Sequence, residues 1–269
     1  MVLQLQGSSA HNCALRSMPE AAELFGSVSE AYASHRPTYP ESFFPAFASR
    51  CPSRQQVWDC GCGSGQASVA LARQFEQVFA SDASAKPLQL APQHPRIRYA
   101  QSEASQSPLE ASSVDAVLVA QAVHWFAGEA FNAEVRRVAK PGAVMAWIGY
   151  LPLELELPKL EERFEHFYGT TLKPWWSPQR RWVDQSYAGL TFPGEEWPFP
   201  ADLWIERRWS LAELEGYLGS WSAVENARRS GADPVKRFVE ELKGDWPGEG
   251  AQPVLVRWQF MGRWGVINS

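Results

Sequence analysis

The chain of 269 residues predicts an α/β fold built on a doubly wound, mostly parallel sheet. Three observations point there. Short apolar runs alternate with helix-like stretches between residues 56 and 150. One run, Val114-Asp-Ala-Val-Leu-Val-Ala120, is nearly continuous, the pattern of a strand buried on both faces. Three alternating glycines, Gly61, Gly63 and Gly65, join the first run to a following helix. Glycine permits positive φ and lets a ligand approach the bare backbone of such a turn.

Taken in order, Ala21, Leu24, Phe25, Val28 and Tyr32 recur at helical spacing and predict a helix over 19–35. It is read as an N-terminal helical lid, preceded by a tail over residues 1–20. Pro37 and Pro40 stop it. A short helix is expected over 41–50, the first strand over 56–59 and the first crossover helix over 65–74. The second strand covers 77–81 and closes at Asp82, with a short helix after Lys86-Pro87. Strands over 97–100 and 114–120 follow, then a helix over 129–139 and a strand over 143–150. Lys140-Pro141-Gly142 separates these last two. Residues 21–150 thus read as a ligand-binding core with its lid.

Beyond residue 150 the rhythm changes. Residues 151–170 are acidic and read as a helix; 171–200, rich in Trp, Pro and Gly, read as an irregular cover. A strand is expected over 202–208. Ser210 followed three residues on by Glu213 predicts the capped start of a helix over 210–220. A helix over 233–242 and a last, antiparallel strand over 254–260 complete the chain. Residues 151–269 therefore read as a substrate cover with the remaining strands of the same domain.

Composition narrows the function. A hydrophobic fraction of 45% is ample for a core, and a net charge of −5 argues against duplex nucleic acid as partner. No run of about 20 apolar residues predicts a membrane span. The four cysteines suggest no disulfide framework, so a reducing, cytoplasmic setting is expected. Cys60 and Cys62 lack the second ligand pair of a structural metal site, and no metal is expected. Ten of the 13 tryptophans follow residue 150, which suits a wall that is apolar yet touches polar ligands.

The turn itself carries the chemistry. A dinucleotide turn needs Gly-x-Gly-x-x-Gly, and position 66 is Gln. Asp59, at the tip of the first strand, would repel a pyrophosphate and attract a cation. S-adenosylmethionine offers two positive groups, an ammonium and a sulfonium. Asp82, at the tip of the second strand, is placed to accept hydrogen bonds from ribose hydroxyls; its alternative is a solvated turn residue.

With these residues in place, the chain resembles a class I S-adenosylmethionine-dependent methyltransferase of Rossmann-like fold. More narrowly it is similar to the group of trans-aconitate and other small-molecule methyltransferases (type 11 methyltransferase domain). The resemblance runs from about Phe25 to the C-terminus and is carried by four segments: Tyr32-x-x-x-Arg36-Pro-x-Tyr39-Pro40, Val57-Trp-Asp-Cys-Gly-Cys-Gly-Ser-Gly65, Val78-Phe-Ala-Ser-Asp82-Ala-Ser84, and residues 113–126 ending in Gln121-Ala-Val-His-Trp-Phe126. It implies that Asp59, Gly61 and Gly63 line the methionine part of the cofactor. Asp82 would hold the ribose with Ala83 beside the adenine, and Glu103 would lie at the adenine edge. Gln121 would sit beneath the cofactor.

Methyl transfer from a sulfonium is an in-line displacement that depends mainly on positioning. A base is needed only for a protonated nucleophile, and His124 is the candidate; the alternative is that His124 and Trp125 pack their loop. Trp125 is otherwise a cofactor or substrate wall. Tyr32 and Arg36, four apart on one helical face, are candidates for holding a carboxylate of cofactor or acceptor; the alternative is a packed helix stop. Arg180-Arg181 and Arg207-Arg208 are candidates for an anionic acceptor, with surface pairing as their default. The expected function is methylation of a small molecule, an organic acid or nitrogen heterocycle, at O or N, by a monomer or homodimer. A non-catalytic adenosyl-ligand binder is the alternative. A dehydrogenase would want a glycine at 66 and no acid at 59. An amino-methylating nucleic-acid enzyme would want an Asn/Asp-Pro-Pro-aromatic box where Gln121-Ala-Val-His124 stands.

Overall fold

The computed structural model describes residues 36–268. The expected lid helix, the tail before it and Tyr32 lie outside these residues. The strands are β1 (Gln56–Cys60), β2 (Gln77–Asp82), β3 (Ile97–Gln101), β4 (Val114–Ala120), β5 (Ala139–Leu155), β6 (Gly194–Trp197), β7 (Trp204–Trp209) and β8 (Val254–Ile267). They form one mixed sheet in the order β3-β2-β1-β4-β5-β8-β6, with β7 also paired to β8. Pairings from β3 to β5 are parallel, whereas β8 runs antiparallel to β5, β6 and β7.

Successive strand residues point to opposite faces, and both faces are covered. Val57, Ala116, Leu118, Ala146 and Ile148 pack on one face with α1 (Phe43–Ala48), α2 (Gln66–Leu71), α8 (Leu211–Gly219) and α10 (Pro234–Lys243). Trp58, Val117, Val119, Met145 and Trp147 pack on the other with α5 (Glu129–Val138) and α7 (Arg180–Asp184). The chain winds from β1 outward to β3, then returns to β4 on the other side of β1. The crevice between the carboxyl ends of β1 and β4 is the place where such sheets bind ligands.

Three expectations are corrected. Residues 151–155 continue β5 instead of starting a helix, and helix α6 begins only at Pro158 (Pro158–His166). Leu151, Leu153, Leu155 and Leu157 alternate with Pro152, Glu154 and Glu156, a strand period that the acidic composition obscures. Leu153 and Leu155 are buried while Glu154 pairs with Arg257 of β8 at 2.8 Å. β8 in turn runs to Ile267, well past the expected end at 260, because β5 pairs with it from Leu155 back to Val144. The segment 171–200, expected to be irregular, contains α7 and the edge strand β6. A further helix, α9 (Ser222–Arg229), was not foreseen. The remaining short helices are α3 (Ala85–Gln89) and α4 (Val123–Phe126). The predicted cap is present: Ser210 accepts from the Glu213 N–H and donates through its own N–H to Glu213 Oε2 (2.8 Å).

Candidate active site

The glycine turn is stitched to the tip of β2. The N–H groups of Gly61 and Cys62 donate to Ser81 O (2.8 and 3.0 Å), and that of Gly63 donates to Asp82 Oδ2 (2.9 Å). Gly61 has φ +70°, and a Cβ there would come within 2.6 Å of Ala122 Cβ, so this glycine lets the turn seat against the chain leaving β4. Gly63 has φ +55° and nothing within 4 Å of a Cβ position, which leaves its backbone open to a ligand. Beside the turn lies a cleft of about 220 Å³, lined by Arg36, Ser64, Gly65, Gln66 and Leu90 among others.

Asp59 is wholly buried under the turn. Ser68 Oγ donates to its Oδ2 (2.5 Å), while Oδ1 has no partner among the described residues. Burial pushes its carboxyl up to about 7; the hydrogen bond from Ser68 opposes the shift and the nearby Asp82 adds to it. Asp82 is half-buried, its Oδ1 accepting from Ser84 N–H (2.8 Å), and burial raises its carboxyl too. Ala83 follows it, with its carbonyl accepting from Gln101 (3.0 Å). Glu103 is exposed, in a short bridge with Gln106, whereas the Ser102 hydroxyl beside it is buried without a partner among the described residues.

At the tip of β4, Gln121 takes φ +55°, a strained conformation for a side-chain-bearing residue. Its N–H donates to Ile148 O (2.8 Å) and its side chain to Tyr150 O (3.5 Å). His124 lies in α4, its ring 4.9 Å from Trp125 and stacked toward Tyr187 at 6.4 Å. The residue is half-buried, and Nδ1 is sealed with no hydrogen-bond partner among the described residues. Burial, helped by the charge of Arg180, pushes His124 down to about 3, so the imidazole is neutral.

Arg36 ties the two halves together. Its carbonyl accepts from Gln66 at the start of α2 (3.5 Å); its guanidinium donates to Tyr150 OH (3.3 Å) and Ser220 O (3.1 Å) and lies 5.4 Å from the Tyr217 ring centre. Thus Asp59, Gly61, Gly63, Asp82, Gln121, His124 and Arg36 converge at the carboxyl ends of β1, β2, β4 and β5. Tyr150, Tyr168, Tyr187 and Tyr217 were not singled out from the sequence. Each reads locally as an ordinary core aromatic, and only the fold brings them together. Trp176 joins them, its ring tilted against Tyr168 (5.2 Å) and Trp221 (5.4 Å). Trp197 does not: in β6 it pairs with Trp264, which faces Ala146 in the middle of β5.

Fold and turn together define a protein that binds a cationic adenosyl ligand. The residues fit S-adenosylmethionine: Asp59 Oδ1 is an unsatisfied acceptor, burial resists the ionisation of two acids that a bound cation would favour, and space is open above Gly63. A family profile described as a methyltransferase domain matches residues 58–147. A solved structure from Anaeromyxobacter dehalogenans, assigned as a type II methyltransferase, is 40% identical with a TM-score of 0.77, covering 86% of this chain and 97% of its own. A Dictyostelium discoideum protein assigned as a methyltransferase is 29% identical over 222 residues, 81% of this chain and 84% of that relative. An uncharacterized methyltransferase of Mycobacterium tuberculosis is 37% identical over 123 residues, 44% of this chain and 48% of its own. The chain belongs to the class I S-adenosylmethionine-dependent methyltransferases. It is an enzyme, and S-adenosylmethionine is its cofactor.

Proposed function

We propose that this enzyme methylates a small-molecule acceptor at oxygen or nitrogen by in-line displacement, acting mainly through positioning. The observation that carries this reading is contiguity. The glycine turn and an aromatic cluster built by the cover meet through Arg36 and Gln121 at the strand tips. When bound, S-adenosylmethionine supplies a methyl group on a positively charged sulfur that leaves as a neutral thioether.

The protein's own residues then divide the work. Asp59, buried under the turn, acts through its field on the positive charge above it. Gly61 and Gly63 let the backbone close on the methionine part. Asp82 would hold the ribose, Ala83 and Glu103 would flank the adenine, and Gln121 would lie beneath. Arg36, which lines the cleft beside the glycine turn, would bound the cofactor, and Trp125 would form a wall. His124 is neutral and, with Nδ1 sealed, would accept a hydrogen bond from the acceptor's O–H or N–H only through its other ring nitrogen. With so low a proton affinity, it takes the proton only as the bond to carbon forms. Alignment and exclusion of water supply most of the acceleration, which for well-oriented reactants reaches ~7–11 kcal/mol.

Calorimetric titration with S-adenosylmethionine and with NAD tests the cofactor half: tight binding of the former alone is expected, and NAD binding without it overturns the proposal. Transfer of a labelled methyl group to a metabolite panel tests the rest. Cofactor binding with no acceptor methylated would favour a non-catalytic binder.

A further inference from the structure

Resting on the reading of Asp59 above, we infer that Tyr99 is a positioning residue of the cofactor site, its hydroxyl acting through Ser68 to hold Asp59 as the anion that a cationic cofactor needs. The sheet register builds this arrangement. Asp59 pairs with Ala80 of β2, and Ala80 pairs with Tyr99 of β3. Residues in register across parallel strands point to the same face. Asp59, Ala80 and Tyr99 therefore stand in one row on the face that α2 covers. The middle side chain is only a methyl group, which lets the Tyr99 ring lean across β2 toward the glycine turn. Its hydroxyl ends against Gly65, where a Cβ would come within 2.4 Å of Tyr99 Oη. Gly65 thus makes room for the hydroxyl at the start of α2, in the same turn that carries Ser68.

One hydrogen bond in this row is left to be made. Ser68 has a single hydroxyl proton and gives it to Asp59 Oδ2 at 2.5 Å, so its oxygen can only accept from elsewhere. Tyr99 Oη is buried with no hydrogen bond to the described residues, although Ser68 is close enough to bear on its proton. Burial, with Cys62 and Asp59 adding to it, lifts the phenol to about 12, so it keeps its proton and serves as a donor. Turned toward Ser68 Oγ, it completes a chain in which both hydroxyl protons point along the path to the carboxylate. Such a chain favours the charged form and strengthens as that charge grows. The other groups around Asp59 do not supply this. Cys60 and Cys62, from its own strand and turn, are held neutral because burial raises both thiols. Asp82, from β2, opposes ionisation. The facing positions of α2 and β4 are Ser68 and Leu118, which carry no charge. A bound cation tips this balance, and the Asp59 proton leaves to solvent.

The test is calorimetric affinity for S-adenosylmethionine between about pH 5.5 and 8.5. It compares the full wild-type chain with Tyr99→Phe, Ser68→Ala, their double variant and Asp59→Asn. With its carboxyl at about 7, wild-type affinity should rise with pH up to that point, because below it binding must expel a proton. Asp59→Asn should flatten most of that rise. Tyr99→Phe keeps the ring and deletes only the hydroxyl. Without the hydroxyl the carboxyl is harder to ionise, and the rise should move upward by about one pH unit. Taking the ratio of wild type to variant at each pH cancels every titration the two proteins share. The loss should then be about fivefold at about pH 6.5 and less than about twofold at about pH 8.5. In the Ser68→Ala background, Tyr99→Phe should change nothing. No loss, a loss equal at every pH, or one that persists without Ser68 would make Tyr99 a packing residue and overturn this inference alone. A wild-type affinity that does not rise, or a rise unchanged in Asp59→Asn, overturns the Asp59 reading and this inference with it, so the two failures are distinguishable.

Discussion

Asp59 stands at the foot of the glycine turn with one carboxylate oxygen satisfied by Ser68 and the other unpartnered. An ordinary carboxyl titrates near 3.8, whereas burial raises this one to about 7. Between those values the folded chain holds a proton that the unfolded chain has lost. Its contribution to stability is therefore present at low pH and lost as pH rises through about 7. Asp59→Asn keeps an acceptor for Ser68 and removes the titration. The ligand-free variant should gain in melting temperature relative to wild type as pH rises from 5 to 8, and bind S-adenosylmethionine more weakly. A gain that does not grow with pH would refute the account. His124 behaves in the opposite sense. Burial lowers it from 6.5 to about 3, so in that interval the unfolded chain binds a proton that the folded chain does not. Stability is lost as pH falls below about 6.5, and His124→Gln should shrink the difference in melting temperature between pH 7.5 and pH 5. An undiminished difference would mean that His124 is not held neutral.

At the scale of elements, legibility followed locality. The turn, its flanking strands and the Ser210 cap depend on residues a few positions apart, and each was readable. Ser210→Ala removes the hydroxyl that accepts from Glu213 N–H and donates to Glu213 Oε2, leaves the backbone half of the box, and should cost about 1 kcal/mol. The urea midpoint should fall with the m-value unchanged, and an unmoved midpoint would show that packing alone holds the helix. Residues 151–157 were misread because charge composition outweighed a period of two. β6 was not readable at all. Gly194-Glu-Glu-Trp197 is mostly polar, and its pairing with β8 makes it a strand. At Gly194 a Cβ would meet Val266 O at 1.9 Å, so the glycine records a close approach that only the fold reveals.

For the whole molecule, β8 is the strand that joins cover to core. It pairs with β5, β6 and β7 and carries Trp258 and Trp264 into the main core. Trp264 is almost wholly buried, donates to Pro198 O (2.8 Å) and lies under the Arg50 guanidinium at 4.0 Å. Trp264→Ala should destabilise the chain by ~3–5 kcal/mol, and measuring the loss by chemical denaturation checks it. A loss below about 1 kcal/mol would mean that this edge of the sheet collapses around the gap. Sequence alone settled the cofactor half of the enzyme: the parallel sheet, the glycine turn, and the acids at its two strand tips. These sit within two adjacent strand ends, where backbone conformation and charge depend on near neighbours. The surroundings of the strand tips were settled by folding. Tyr150, Tyr168 and Tyr217 lie far apart in the chain and each alone reads as packing, while Arg36 and Arg180 read as anion candidates whose partners the sequence does not show. They come together because burial of the sheet's two faces draws the cover down over the tips of β4 and β5.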